Sequence, residues 1–436
     1  MARPPPKLTK TVSEKNLALL GEQRLAGLLM LAAAGDPGFK RRLRLELAAE
    51  LGAADMAAEL DRRLDTLREG RGRISWRKRP ALVRELSGLR DLIVDRLTDQ
   101  DAALALDRLI AWFDLADPLA GRVKDSRGEL TEMFEGAAPE IARIADRVGV
   151  EGAAPRLQSA LDMRAAIWAP VLGRAAPVMS QALAGRLATL LRPGLETASA
   201  RRRLVARRLS DRAGDVDVWL ETLTAEERRS SGLGAEAARR LARDGRPAQA
   251  RAALEATRPP VPRVVRGREE RRDPAPDERW RSAEIAVLDA EGRTKEALEA
   301  RWLQFERTLS PEVLRELVGR LDDFEDVVAI DRALAFAQTY FDLMQGVSFL
   351  MDWGAMREAA EAVLARPEDV RGDVESIPLW ASRLAGRHPE AAALLLRAHV
   401  RALVAQGHGG DQLAGVLAEL DALAARADRA TANRPS

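Results

Sequence analysis

Six basic side chains surround one indole within a dozen residues: Arg68, Arg71, Arg73, Arg77, Lys78 and Arg79 around Trp76. That mixture suits an anion. Guanidinium and ammonium groups hold phosphates or carboxylates, and the indole can stack on a base or on a guanidinium plane. In the competing reading Trp76 is a core anchor and the cations form a solvated turn paired with Glu59, Asp61, Asp65 and Glu69, the usual fate of a charge run. A second run, Arg201-Arg202-Arg203 with Arg207-Arg208, sets Arg203 and Arg207 on one helical stripe, with Arg201 and Arg208 also near each other. A phosphate backbone could lie along it, while Asp211, Asp215 and Asp217 offer ordinary pairing.

Other chemistry is sparse. The 436 residues hold no Cys, one Tyr (Tyr340) and three His. His388, His399 and His408 lack the i, i+4 partner that metal-binding helices use. Asp322, Asp323, Glu325 and Asp326 could invite a divalent cation, but successive helical positions diverge and the helix macrodipole explains acids at an N-terminus more simply. Asp125-Ser126-Arg127-Gly128-Glu129 lacks the spacing of a calcium loop and reads as a turn. No Walker loop, Gly-x-Ser-x-Gly elbow or dinucleotide fingerprint is present. The expectation is a protein with no catalytic residues, no metal and no cofactor. A hydrolase or metalloenzyme built from scattered Asp, Glu and Arg is the least favoured alternative.

The elements that must position these residues are helical. Ala, Leu, Arg and Glu dominate and aromatics are only 4%, so helix formers outnumber strand formers. Ser13 to Ala34 reads as one amphipathic helix with Ser13 as N-cap, and Ser310-Pro311 opens another with Pro at its first position. Pro139, Pro155, Pro170, Pro177 and Pro193-Gly194 punctuate short helices. His388 before Pro389 reads as a helix entry. Trp112, Phe113, Trp168, Trp219, Trp280, Trp302, Phe305, Phe341, Phe349, Trp353 and Trp380 are expected core anchors, unless some line a groove.

Three segments share a pattern: Asp244-Gly245-Arg246-Pro247-Ala248-Gln249-Ala250, Glu291-Gly292-Arg293-Thr294-Lys295-Glu296-Ala297 and Trp353-Gly354-Ala355-Met356-Arg357-Glu358-Ala359. In each, a Gly is followed five residues later by Ala. Glycine ends one helix in the left-handed region and the later Ala lets the next pack close. A lone helical hairpin cannot bury its apolar face, so hairpins of this kind stack. The unit resembles tetratricopeptide repeats, with wider spacing between units. Leu8-Thr9 with Ser13-Glu14-Lys15-Asn16-Leu17, Trp76-Arg77-Lys78-Arg79, Phe305-Glu306-Arg307-Thr308-Leu309-Ser310, Asp323-Phe324-Glu325-Asp326 and Arg387-His388-Pro389 resemble an uncharacterised bacterial family of helical-repeat proteins. That resemblance implies the fold and supplies no site residue.

The expected fold is therefore all-α, a right-handed α-solenoid of degenerate tetratricopeptide-like hairpins. Expected regions are 1–125 with the basic patch, 126–257, a Pro-rich charged loop or linker at 258–277, 278–425, and a tail at 426–436. The start, Met1-Ala2-Arg3-Pro4-Pro5-Pro6-Lys7, lacks an apolar stretch after its charges, so a cytoplasmic protein is expected, with no membrane partner. Net charge is +2, but residues 1–100 carry 20 basic and 14 acidic groups against 15 and 21 in 301–436. Opposite ends of this kind permit head-to-tail association. The expected role is a scaffold that binds a protein or peptide, acidic where it meets the Arg clusters. Nucleic acid at the same clusters is the alternative.

Overall fold

A computed structural model of the chain describes residues 10–258, 264–265, 268–269, 278–371, 375–407 and 411–432. It is all-α apart from a two-residue strand pair, Val264–Val265 with Arg268–Glu269, and one isolated bridge between Ile74 and Val123. The chain divides into two compact units, Met1–Glu226 and Glu227–Ser436.

In the first unit one apolar cluster runs from Leu45 to Val218. Helices pack on their chain neighbours and on the helix after next. Ala138–Val148 meets Ala165–Ala175, which in turn meets Ala200–Ala213, while Val150–Met163 meets Gln181–Leu191. The expected boundary after residue 125 falls inside this continuous core. Trp112 and Trp168 are fully buried and donate their indole N–H groups to the Leu86 carbonyl and the Asp114 carboxylate, both at 2.9 Å.

In the second unit Leu233–Arg243 packs on both Pro247–Ala256 and Glu278–Ala290. The Pro-rich stretch that reads as a loop or linker therefore lies within one unit, because a single helix holds the elements on either side of it. Apart from Arg258 and the strand pair, residues 258–277 lie outside the described ones. A second apolar cluster extends from Phe305 to Leu423.

The three Gly-to-Ala segments fold alike. Gly245, Gly292 and Gly354 have φ of 74°, 73° and 92°. After each, the next amide reaches back to close the helix end: Arg246 to the Leu241 carbonyl at 2.9 Å, Arg293 to Leu288 at 3.0 Å, Ala355 to Leu350 at 2.8 Å. This six-residue return is the Schellman closure that left-handed glycine permits. Five residues on, Ala250, Ala297 and Ala359 are completely buried.

Several expectations change. Gly21, at φ 83°, splits the first helix into Glu14–Ala18 and Glu22–Gly35, although Ser13 caps it as expected, accepting from the Asn16 amide at 3.3 Å. Pro155 and Pro170 lie inside Val150–Met163 and Ala165–Ala175 instead of ending helices. Both face solvent, as do Glu151 and Ala166 four residues earlier, so water can satisfy the carbonyls left without an amide partner. Phe341 is 84% exposed and anchors no core.

Close helix approach depends on glycine at two places. A Cβ on Gly346 would sit 2.4 Å from the Ala337 carbonyl oxygen, and one on Gly234 would sit 2.3 Å from the Arg228 carbonyl oxygen. Gly346→Ala is expected to destabilise the protein by about 1–3 kcal/mol through overpacking. Urea unfolding of wild type and variant measures this, and an unchanged midpoint would show that the two helices can separate freely.

Candidate functional site

The segment 70–79 joins Ala53–Glu69 to Arg79–Asp91, and it is stapled to the segment 121–131 along its length. Arg122 donates to the Leu67 carbonyl at 2.7 Å and to the Gly72 carbonyl at 3.0 Å. Its guanidinium fills the space a Cβ on Gly70 would need, 2.5 Å away. The Ile74 amide donates to the Arg122 carbonyl at 3.0 Å, forming the bridge to Val123. At the far end Arg79 is buried, grips the Glu129 carboxylate with two nitrogens at 3.1 and 3.2 Å, and donates to the Lys124 carbonyl at 3.2 Å. Two-point guanidinium–carboxylate geometry fixes orientation as well as distance.

The turn at Asp125 supports this clamp. Its carboxylate accepts from the Leu130 and Thr131 amides at 3.1 and 3.0 Å and from the Thr131 hydroxyl at 3.2 Å, capping Glu129–Gly136. Burial opposes its ionisation, but these hydrogen bonds and the nearby Arg79 charge outweigh burial and hold its pKa below the ordinary aspartate value.

What the clamp presents is Trp76, 71% exposed, with the Arg77 guanidinium 5.4 Å from its ring centre. Arg71, Arg73, Arg77 and Lys78 are exposed and have no carboxylate partner among the described residues. Of the expected cluster, Arg79 is therefore internal and Arg68 is paired with Asp65 at 3.0 Å. The expected carboxylates Glu59 and Asp61 are taken by Arg62 and Arg108. Four cations and one indole remain at the surface. An anchored loop carrying an uncovered Trp among unpaired cations can hold an extended anion by stacking and charge together.

The second basic run is used differently. Arg202 pairs with Asp162 and Arg203 donates to the Ala198 carbonyl. Arg207 holds the Thr222 hydroxyl and carbonyl at 3.0 and 3.2 Å with its charge 5.9 Å from the Trp219 ring, and Arg208 donates to the Gly173 carbonyl at 2.9 Å. Arg201 alone of the five is exposed without such a contact. These guanidinium groups tie helix ends together within the first unit.

Among the described residues no three His, Asp or Glu side chains gather as a metal site, and no helix is long and apolar enough to cross a membrane. Glu325 and Asp326 lie in the first turn of Glu325–Gln338. His388 caps Pro389–Ala405, His399 is buried with a partner, and His408 lies outside the described residues.

The model of DUF6880, described as a family of unknown function, matches residues 8–161 and 196–435. The chain belongs to that family. The first match contains the whole Trp76 clamp, from Leu67 to Thr131, and the second contains all three Gly-to-Ala turns. No curated protein matches this DUF6880 chain. No solved structure matches it either.

Sequence reasoning missed Arg122 and Glu129 in this DUF6880 site. The bridge between Ile74 and Val123, 49 positions apart, leaves no periodic trace. Asp125→Ala removes a helix cap and is expected to cost about 1 kcal/mol at neutral pH. A depressed carboxyl contributes stability above its unfolded-state pKa and loses it as pH falls through the folded-state value. The gap between wild type and variant should accordingly close in acid, below the ordinary aspartate range. Thermal melts across pH test the sign; a gap that widens in acid would contradict it.

Proposed function

We propose that this protein is a non-enzymatic scaffold, each unit a stack of tetratricopeptide-like hairpins, that binds an acidic segment of a partner protein on the Trp76 loop in the cytoplasm. Packing of helices on the helix after next, as Ala165–Ala175 on Ala200–Ala213 and Leu233–Arg243 on Glu278–Ala290, supports the solenoid reading, since that is how hairpins complete one another's core. The observation that carries the binding role is Trp76, exposed on a loop clamped at both ends, with Arg71, Arg73, Arg77 and Lys78 around it lacking a carboxylate partner among the described residues. A large apolar ring in water costs free energy, and a clamped loop gives it no way to fold inward. A prepaid geometry of this kind lowers the ordering cost of binding. Carboxylates would take the free cations, and an apolar or planar group of the partner would cover the indole.

Nucleic acid is the second reading, favoured by the same exposed indole beside a guanidinium plane. Fluorescence anisotropy with a Glu-rich peptide and a single-stranded oligonucleotide of matched charge separates the two. The scaffold reading expects preference for the peptide and a loss of about 2 kcal/mol, roughly thirty-fold, for Trp76→Ala, as at interface hot spots. The nucleic-acid reading expects oligonucleotide preference, with a steep salt dependence that becomes shallower when Arg71, Arg73 and Lys78 are changed to Ala. Weak binding of both that ignores Trp76 would refute either role.

A further inference from the structure

The second unit carries an open apolar groove that the Trp76 reading does not use. It lies between Thr294–Thr308, Pro311–Val318 and Glu325–Gln338, with a volume of about 870 Å³. Trp302, Leu303, Leu317, Leu321, Phe324 and Val328 supply its apolar surface. Leu303 is 55% exposed, Val328 68% and Phe324 84%. Single exposed apolar residues need no explanation, but several lining one concavity mark an interaction surface.

Phe324 adds an independent sign. Its backbone has φ of 77°, a region that a bulky side chain rarely occupies and that is costly without glycine. Strain of this sort usually comes with tight packing of the side chain that demands it. Here the ring stands in solvent at the groove edge.

The charges around the groove choose the occupant. Glu299 and Glu325 line it, Asp322 and Asp323 flank it, and none of the four has a cationic partner among the described residues. The one cation in the lining, Arg332, lies 3.9 Å from the centre of the Trp302 ring and pairs with Glu306 at 3.4 Å. Glu306 also accepts the Trp302 indole N–H at 2.5 Å, so this trio closes on itself. The remaining field is negative over an apolar floor.

We infer that this groove binds an amphipathic helix of a partner protein, with apolar residues at i, i+3 or i+4 and i+7 spacing on one face and Lys or Arg flanking them. Helix-in-groove recognition uses such a stripe, and its basic flanks meet the unpaired carboxylates. An acidic helix would be repelled. The site is separate from the Trp76 loop and selects the opposite charge, so either can fail without the other.

The test is isothermal titration of the full-length protein with two synthetic peptides of equal length and identical Leu positions, one with Lys and one with Glu on the polar face. Wild type and Trp76→Ala are expected to bind the Lys peptide alike, while the Glu peptide, which the Trp76 loop takes in the wild type, should bind Trp76→Ala undetectably. Phe324→Ser with Val328→Ser should weaken the Lys peptide at least tenfold. Both residues are exposed, so the variant should retain its helical circular dichroism. Glu299→Gln with Glu325→Gln should weaken it less, and less still at high salt. Equal binding of the two peptides by Trp76→Ala, or a Lys peptide indifferent to Phe324 and Val328, overturns the inference. So does a wild-type dimer in sedimentation that the Phe324, Val328 variant abolishes, because a second copy would then fill the groove.

Discussion

Most helices of the described residues cannot persist by themselves. Most span 5 to 17 residues, near or below the length at which isolated helices hold in water. Each must bury a face against its neighbours, and in an Ala-rich chain that requires close approach. The left-handed glycines at 245, 292 and 354 reverse the backbone, and the buried Ala250, Ala297 and Ala359 let the returning helix come near enough to exclude water. The aromatic side chains then fill what small residues leave open, as Trp112, Phe113, Phe134 and Trp168 do in the first unit.

Arginine plays two parts, and sorting them decides where binding can occur. Arg79, Arg122, Arg207 and Arg208 donate to backbone carbonyls or to a single carboxylate and act as staples between segments far apart in sequence, while Arg203 makes a local bond to the Ala198 carbonyl. A guanidinium suits this because its donors lie in one rigid plane and its charge is weakly hydrated. In the second unit Arg301 does the same from a nearly buried position, holding Asp289. Arg71, Arg73, Arg77 and Lys78, gathered beside Trp76, have no carboxylate partner among the described residues. A basic count alone would have credited both Arg runs equally.

Fold class was legible because helix formers and Gly-to-Ala turns act locally. Ser13 and Ser310 cap the helices they precede, and His388 stands at the N-cap position of Pro389–Ala405. The failures come from tertiary context. Pro155 and Pro170 stay inside helices because their partners' carbonyls face water, a fact of burial and not of composition. The Pro-rich stretch at 258–277 reads as a loop or a linker, and only the packing of Leu233–Arg243 on the elements to both sides of it tells the two apart. Of the first basic run, Trp76 was legible as a candidate and its exposure was not, since the clamp that holds it outward depends on Arg122 and Glu129. The groove was hidden altogether: Phe324 stood among acids and Val328 within an ordinary helical pattern, with nothing local to reveal that both face solvent.

The account rests on the 70–79 loop being a preformed surface and not a mobile turn that happens to contain a Trp. Hydrogen exchange at the Ile74 amide addresses this directly, since that group's bond to the Arg122 carbonyl is the clamp's central link. Protection close to that of the adjoining helix Arg79–Asp91, lost on Arg122→Ala, is the predicted result. Exchange in the wild type as fast as in an unstructured chain would contradict the clamp and remove the reason for assigning function to Trp76.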